Sequence, residues 1–323
     1  MRLVFWGRGT HDFGMSKTLS AGPRVGLIGG SGLGNALLAQ VQGQAEEYWP
    51  ETPFGKASAP LLLFDYQGVP VAFLARHGIG HVTPPSAVPY RANIFSLKLA
   101  GCRWVVASGA VGSLREEIRP RDLVVVDQAI DKTTGRDATF FDTAGGGAVH
   151  VEFSEPMCEE LRQIILETTR SMSLAMFKVH ERGTYVCMNG PAFSTRAESL
   201  MHREWGGDVI GMTAMPEAKL AREAELSYAL IALATDYDCW RPHKPAVEGQ
   251  SKLELLKEII SHLNAATENG LKLIQAALPA IWAQREKKFA SQRSLELAIW
   301  SDKSRISEKA RKMLEPIWGE YVK

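Results

Sequence analysis

The sequence predicts an α/β fold. Short apolar stretches alternate with amphipathic ones from Arg24 to about Ala283, several apolar stretches end in turns of glycine and other small residues, and no repeat or low-complexity segment interrupts the series. Strands are expected at Val25–Ile28, Leu61–Tyr66, Val69–Ala75, Trp104–Ala107, Leu123–Val126, Gly183–Met188, Val209–Met212 and Tyr228–Thr235, where apolar and β-branched residues run together. Helices are expected at Ala87–Ala100, Glu155–Met172, Thr195–Trp205, Pro216–Glu223 and Ser251–Ala277, where the pattern is amphipathic. Thr195 or Ser194 offers an N-cap to the third helix, and Pro216 suits the first turn of the fourth. Ala144–Ala148, with three glycines in a row, reads as a surface loop. Residues 1–23 carry little periodicity and read as a flexible extension, residues 24–283 as one domain, and residues 284–323 as an amphipathic helical extension with apolar positions such as Leu295, Ala298, Ile306, Leu314 and Ile317. That last stretch suits packing on its own domain or a neighbouring subunit, or the docking of a partner.

The chain has 323 residues, 37 basic against 36 acidic side chains, and 45% apolar residues. A chain of that length buries about three quarters of its unfolded surface and needs neither disulfides nor metal staples. A net charge of +1 with only short basic runs argues against a protein built to grip nucleic acid. The four cysteines are isolated from one another, so no zinc pair or disulfide framework is legible. No apolar run approaches the roughly 20 residues that cross a bilayer, and the expected location is cytoplasmic.

Several stretches combine residues that chemistry can use. Glycines 29, 30, 32 and 34 follow the first strand and, with Ser31, can form a nest of amides for an anion or simply a tight turn. The spacing departs from G-x-G-x-x-G and no P-loop lysine follows, which disfavours a dinucleotide or nucleotide fold. Arg76-His77-Gly78 ends another strand. A guanidinium beside an imidazole can hold phosphate, or can serve as a surface ion-pair partner. Ser108-Gly109-Ala110-Val111-Gly112-Ser113 reads as a further strand end exposing amides, and ligands of α/β sheets collect at such ends. After the apolar strand at Tyr228–Thr235 stand Asp236 and Asp238, which extended backbone would project to one side. Like charges this close favour one carboxyl keeping its proton, as a general acid requires; the alternative is an acidic turn holding water or a stray cation.

Taken in order, Gly29-Gly-Ser-Gly32, Arg76-His77-Gly78, Gly112-Ser-Leu-Arg-Glu-Glu117, Asp127-Gln-x-Ile-Asp131, Gly190-Pro-x-Phe-Ser194, Arg196-Ala-Glu198, Gly211-Met-Thr213, Pro216-Glu217 and Ala234-Thr-Asp-Tyr-Asp-Cys-Trp240 resemble the motifs of the 5'-methylthioadenosine phosphorylases, within the trimeric purine nucleoside phosphorylase family. The resemblance spans about residues 24 to 275. It implies a central twisted mixed β-sheet flanked by helices, a homotrimer, and phosphorolysis with inorganic phosphate as co-substrate and no cofactor or metal. By position it assigns phosphate to Ser31, Arg76, His77, Gly109, Ala110 and Thr213. It lays Met212 along the ribose, Phe193 against the purine and Ser194 at the purine edge, and puts His150 in the 5' pocket. Asp236 would serve N7 of the leaving base and Asp238 its 6-amino group. A carboxylate at position 6 accepts from an amine and leaves a 6-oxo purine unpaired, so adenine nucleosides are preferred over inosine or guanosine.

The chain also departs from that family's pattern. Asn189 and Ala192 replace a Glu and an Arg, Gly109 replaces a hydroxyl residue at the phosphate turn, and Gly249 and Lys252 stand where valines line the 5' pocket. Two rivals follow from these changes: a purine nucleoside phosphorylase preferring adenosine or another 5'-modified adenosine, and a phosphorylase-like nucleoside-binding protein without catalysis.

Overall fold

The computed structural model describes residues 22–30, 33, 43–142, 145–172, 176–241 and 252–322, with the backbone alone for 252–256. Ser31, Gly249 and nearly all of the amino-terminal extension therefore lie outside the described residues, as does the side chain of Lys252.

A mixed sheet of eleven strands forms the centre. In chain order these are β1 (Arg24–Gly29), β2 (Glu46–Tyr48), β3 (Leu61–Tyr66), β4 (Val69–Ala75), β5 (Cys102–Ser113), β6 (Leu123–Val125), β7 (Gln128–Asp131), β8 (Val179–His180), β9 (Thr184–Cys187), β10 (Val209–Gly211) and β11 (Ser227–Tyr237). The spatial order is β2-β3-β4-β1-β5-β10-β9-β7, with β11 on β5 and β6, and β8 on β6. β1 and β11 pair parallel to β5, and β1 pairs parallel to β4. Such strands are covered on both faces, which is why β1 and β11 are apolar almost throughout. The short strands β2, β7 and β8 were not expected, because two to four residues carry too little pattern to read.

Seven α-helices are described: α1 (Tyr90–Leu99), α2 (Glu159–Thr169), α3 (Arg196–Glu204), α4 (Ala214–Glu223), α5 (Lys252–Ala283), α6 (Glu308–Met313) and α7 (Glu315–Trp318). α2 starts later than expected because Cys158 is extended and donates its N–H to the carbonyl of Tyr228 at 2.8 Å, a tertiary bond that holds it out of the helix. α5 runs past Ala277 to Ala283 and contains Pro279. Side chains of β11 alternate between two cores. Tyr228, Leu230, Ala232 and Ala234 join the cluster that includes Phe95 of α1 and Ala218 of α4, while Ala229, Ile231 and Leu233 join that of Leu161 and Leu273 from α2 and α5.

The carboxy-terminal stretch is helical, as expected, but in short pieces. It is a chain of short helical turns whose Leu295, Ala298, Ile306, Leu314, Ile317 and Trp318 are buried in the same core as the body. Trp318 is fully buried against Phe141, ring centroids 5.0 Å apart. Arg103 clasps the start of this stretch through the carbonyls of Arg285 (2.6 Å) and Lys287 (2.8 Å). The described part of the glycine loop, from Gly145, is tied to it as well: Val149 bridges Ile299, and Ser307 donates its N–H to Gly145 O at 3.0 Å.

Candidate active site

β5 makes the site by outlasting its neighbour. β1 pairs with it only as far as Ile28 opposite Ala107, whereas β11 continues to Ala234 opposite Val111 and then to Asp236 opposite Gly112. The strand therefore runs on past the end expected at Ala107, and Gly109–Val111 within it offer one backbone edge to a cavity of about 340 Å³. Gly109, Ala110, Val111 and Gly112 line that cavity together with Gly30, Arg76, His77, His81 and Thr213, and with Met188, Phe193, Ser194, Met212, Asp236, Asp238, Ile259 and Leu263. The described site residues assigned from the sequence thus meet in one place, His150 excepted.

At one end stands Arg76, fully buried just past β4. Its Nε and Nη2 form a two-pronged pair with Glu217 of α4 at 2.6 and 2.8 Å, its Nη1 donates to Ser108 O at 2.8 Å, and the Tyr228 hydroxyl donates to Glu217 at 2.8 Å. Burial works against the guanidinium charge, but the Glu217 carboxylate outweighs it and holds the pKa above its ordinary value. Arg76 is thereby aimed by a buried ion pair, not left to a surface partner. His77 Nδ1 lies 2.8 Å from Thr83 O, so that nitrogen carries the proton and Nε2 is an acceptor. Burial first, and then the Arg76 charge, push its pKa down to about 4, so the ring is neutral near pH 7. His81 packs against it at a tilt, ring centroids 4.3 Å apart.

At the other end, Asp236 and Asp238 flank Gly112. A Cβ built on Gly112 would lie 3.1 Å from Asp238 Cβ, 3.3 Å from Ile210 Cγ2 and 3.4 Å from Asp236 Oδ1, so glycine lets the strand approach both aspartates more closely than another residue would. The register shifts between Ala234 and Asp236, and Thr235 Oγ1 donates to Asp236 Oδ2 at 2.6 Å. Asp238 is buried, its N–H donating to Ser113 O at 3.0 Å.

α3 is capped by Thr195, not Ser194. Thr195 and Glu198 form a capping box, with Glu198 N 3.2 Å from Thr195 Oγ1 and Thr195 N 2.8 Å from Glu198 Oε2. Ser194, released from capping, donates to Met188 Sδ at 3.7 Å. Phe193 stands at the mouth, 85% exposed.

Arg136 was missed in the sequence, where it is one arginine in a loop. Its Nη1 donates to the carbonyls of Met212 (2.8 Å) and Met215 (2.6 Å) and its Nη2 to that of Asn189 (2.9 Å), joining the two segments that carry Met212 and Phe193. Asn189 accepts from Thr134 N at 3.1 Å and donates to Thr134 Oγ1 at 3.0 Å. The replacement of an acidic residue there is thus absorbed by neutral bonds, and Ala192 is exposed. Ile259 and Leu263, turned in from α5, were also missed. His150 is exposed and packs at a tilt against Trp300, ring centroids 4.8 Å apart, away from the cavity of its own chain, because its loop is tied down by His150 N donating to Ala298 O at 2.9 Å. Among the described residues no group of three His, Cys, Asp or Glu side chains could hold a metal ion, and no helix is long and apolar enough to cross a membrane.

Residues 24–279 match the sequence profile of the phosphorylase superfamily. The chain belongs to that superfamily. Over 300 residues it is 43% identical to the S-methyl-5'-thioadenosine phosphorylase of Gloeobacter violaceus, covering 92% of this chain and 96% of the relative. A methylthioadenosine phosphorylase from an Antarctic soil metagenomic library has a solved structure that matches with a TM-score of 0.81 at 40% identity, over 92% of this chain and 99% of that one. A variant of the adenosine/methylthioadenosine phosphorylase of Schistosoma mansoni, solved in complex with methylthioadenosine, matches with a TM-score of 0.75 at 34% identity, over 86% and 98% of the two chains.

Proposed function

We propose that this phosphorylase cleaves 5'-deoxy-5'-methylthioadenosine with inorganic phosphate, giving adenine and 5-methylthioribose 1-phosphate. One observation carries the reading: a single cavity has a buried, ion-paired arginine at one end and two carboxylates astride a glycine at the other. Arg76, His77, Thr213 and the edge of β5 at Gly109 and Ala110 hold phosphate, a role that the sequence motif also gives to Ser31. His77, neutral and with its proton committed to Thr83, accepts from a phosphate hydroxyl through Nε2.

A phosphate oxygen forms the new bond to the anomeric carbon as the bond from that carbon to N9 breaks. The bonding pair moves into the purine, and Asp236 delivers a proton or hydrogen bond to N7. Asp238 accepts from the 6-amino group. Met212, Phe193 and Ser194 bracket the ribose and base. Catalysis consists of placing the anion beside an oxocarbenium-like centre and neutralising the departing base, with no cofactor taking part. Ile259 and Leu263 support an apolar 5' substituent over a 5'-hydroxyl.

His150 does not reach its own cavity, so its part in a 5' pocket requires the homotrimer, where a neighbouring copy can bring it there. The test of the whole reading is adenine release from methylthioadenosine, adenosine and inosine, measured with and without phosphate. Methylthioadenosine should lead, and Asp236→Asn should lower turnover by roughly 10²-fold or more. Fastest turnover of inosine, or release independent of phosphate, would overturn it.

A further inference from the structure

Behind the carboxylate end of the cavity lies a buried group that the reaction scheme above does not use. α3 turns two residues inward, Ser199 and His202, and His202 is only 1% exposed. Lys132, just past β7, approaches it: Nζ lies 2.7 Å from His202 Nε2 and 5.3 Å from the centre of the Trp205 ring. An ammonium only donates, so Nε2 accepts and the ring proton sits on Nδ1. Burial, and then the Lys132 charge, lower the His202 pKa, which keeps the imidazole neutral in that tautomer. The charged groups acting on the ring are Lys132, Asp238 from the end of β11 and Glu198 from its own helix, the two carboxylates pulling against the lysine.

His202 Nδ1 is buried and has no protein partner among the described residues. Asp238 Oδ2 is in the same condition, and no other carboxylate oxygen among the described residues is. An orphaned donor and an orphaned acceptor in one region, neither within hydrogen-bond distance of a protein partner, each carry a desolvation cost that one bridging water between them removes. Resting on the function proposed above, we infer that Lys132 and His202 form a positioning relay behind Asp238. Lys132 orders the proton onto Nδ1, and Nδ1 donates toward Asp238 Oδ2 through that water. Asp238 is then an obligate acceptor toward the base, which selects a 6-amino over a 6-oxo purine. His202 touches neither substrate nor phosphate; it acts through Asp238.

The test is a binding measurement that does not depend on turnover: dissociation constants for adenine and hypoxanthine, by calorimetry, in the wild-type protein, His202→Phe, His202→Gln and Lys132→Met. His202→Phe should narrow the adenine-over-hypoxanthine preference by about ten-fold, with phosphate affinity unmoved. His202→Gln, which keeps a donor, should recover most of the preference, a rescue that a packing role would not give. Lys132→Met, at a half-buried position, should narrow the preference several-fold and stands in if His202→Phe fails to fold. An unchanged preference in His202→Phe, or in Lys132→Met where the first does not fold, would overturn the relay. A wild-type protein that prefers adenine yet releases none from methylthioadenosine with phosphate would instead refute the proposed function and leave the relay standing.

Discussion

Gly109 and Gly112 sit three residues apart on β5 and answer opposite questions. A Cβ on Gly109 would lie 3.6 Å from Thr213 Oγ1 and 3.9 Å from Arg76 Nη1, ordinary contacts, so a serine fits and its hydroxyl joins the phosphate cradle. Gly109→Ser is expected to lower the KM for phosphate by about ten-fold, the worth of one hydrogen bond to an anion, with little change in kcat. An unchanged phosphate KM would mean that this stretch of β5 does not face the anion. Gly112→Ala meets Asp238, Ile210 and Asp236 at 3.1–3.4 Å instead, and should cut kcat/KM for the nucleoside by roughly ten-fold while the phosphate KM holds, because small displacements of the reacting groups are costly. The residue types at this site were legible in the sequence, since glycines, an arginine and a carboxylate pair are rare signals. Which glycine leaves room and which fills a gap was not, because that depends on side chains brought in from elsewhere in the chain.

Among the elements, β5 carries the clearest lesson about legibility. Ser108-Gly-Ala-Val-Gly-Ser113 reads as the end of a strand because its residues are small, yet it is strand throughout, held in register by β11 while β1 falls away. Pairing partners, not propensity, decide its state. Arg136 illegibly performs a similar service: an arginine in a loop has no pattern, and its value lies in three carbonyls from two distant segments. Arg136→Met is expected to leave the phosphate KM within about two-fold and to lower kcat/KM for methylthioadenosine by about 10–100-fold, the range for losing charge-assisted hydrogen bonds. Steady-state kinetics with each substrate varied in turn checks this, and an equal loss on both axes would show that Arg136 supports the fold and not the nucleoside wall.

At the scale of the whole molecule, the carboxy-terminal stretch and the titration of the core decide stability. Trp318→Ala should cost about 3–5 kcal/mol in chemical denaturation, as for any large aromatic removed from a packed core, whereas Trp318→Phe should cost much less because the buried indole N–H has no partner among the described residues. Two buried groups then set opposed pH dependences. His77 has its pKa lowered from 6.5 to about 4, so the unfolded chain takes up a proton that the folded one refuses; the stability it lends is complete above about 6.5 and is lost as pH falls toward 4. Glu223 runs the other way. Burial raises its pKa from 4.5 to about 7 although Phe140 N donates to it at 2.8 Å, so the folded chain keeps a proton that the unfolded chain has released. Its contribution is complete below about 4.5 and disappears as pH rises through 7. In the window where both act, the two slopes offset each other. Glu223→Gln keeps an acceptor for Phe140 N but cannot ionise, which strips out one slope. The melting temperature of Glu223→Gln should therefore pull ahead of wild type progressively from pH 5 to pH 8, and a difference that stays constant across that range would mean that Glu223 is not held protonated by burial.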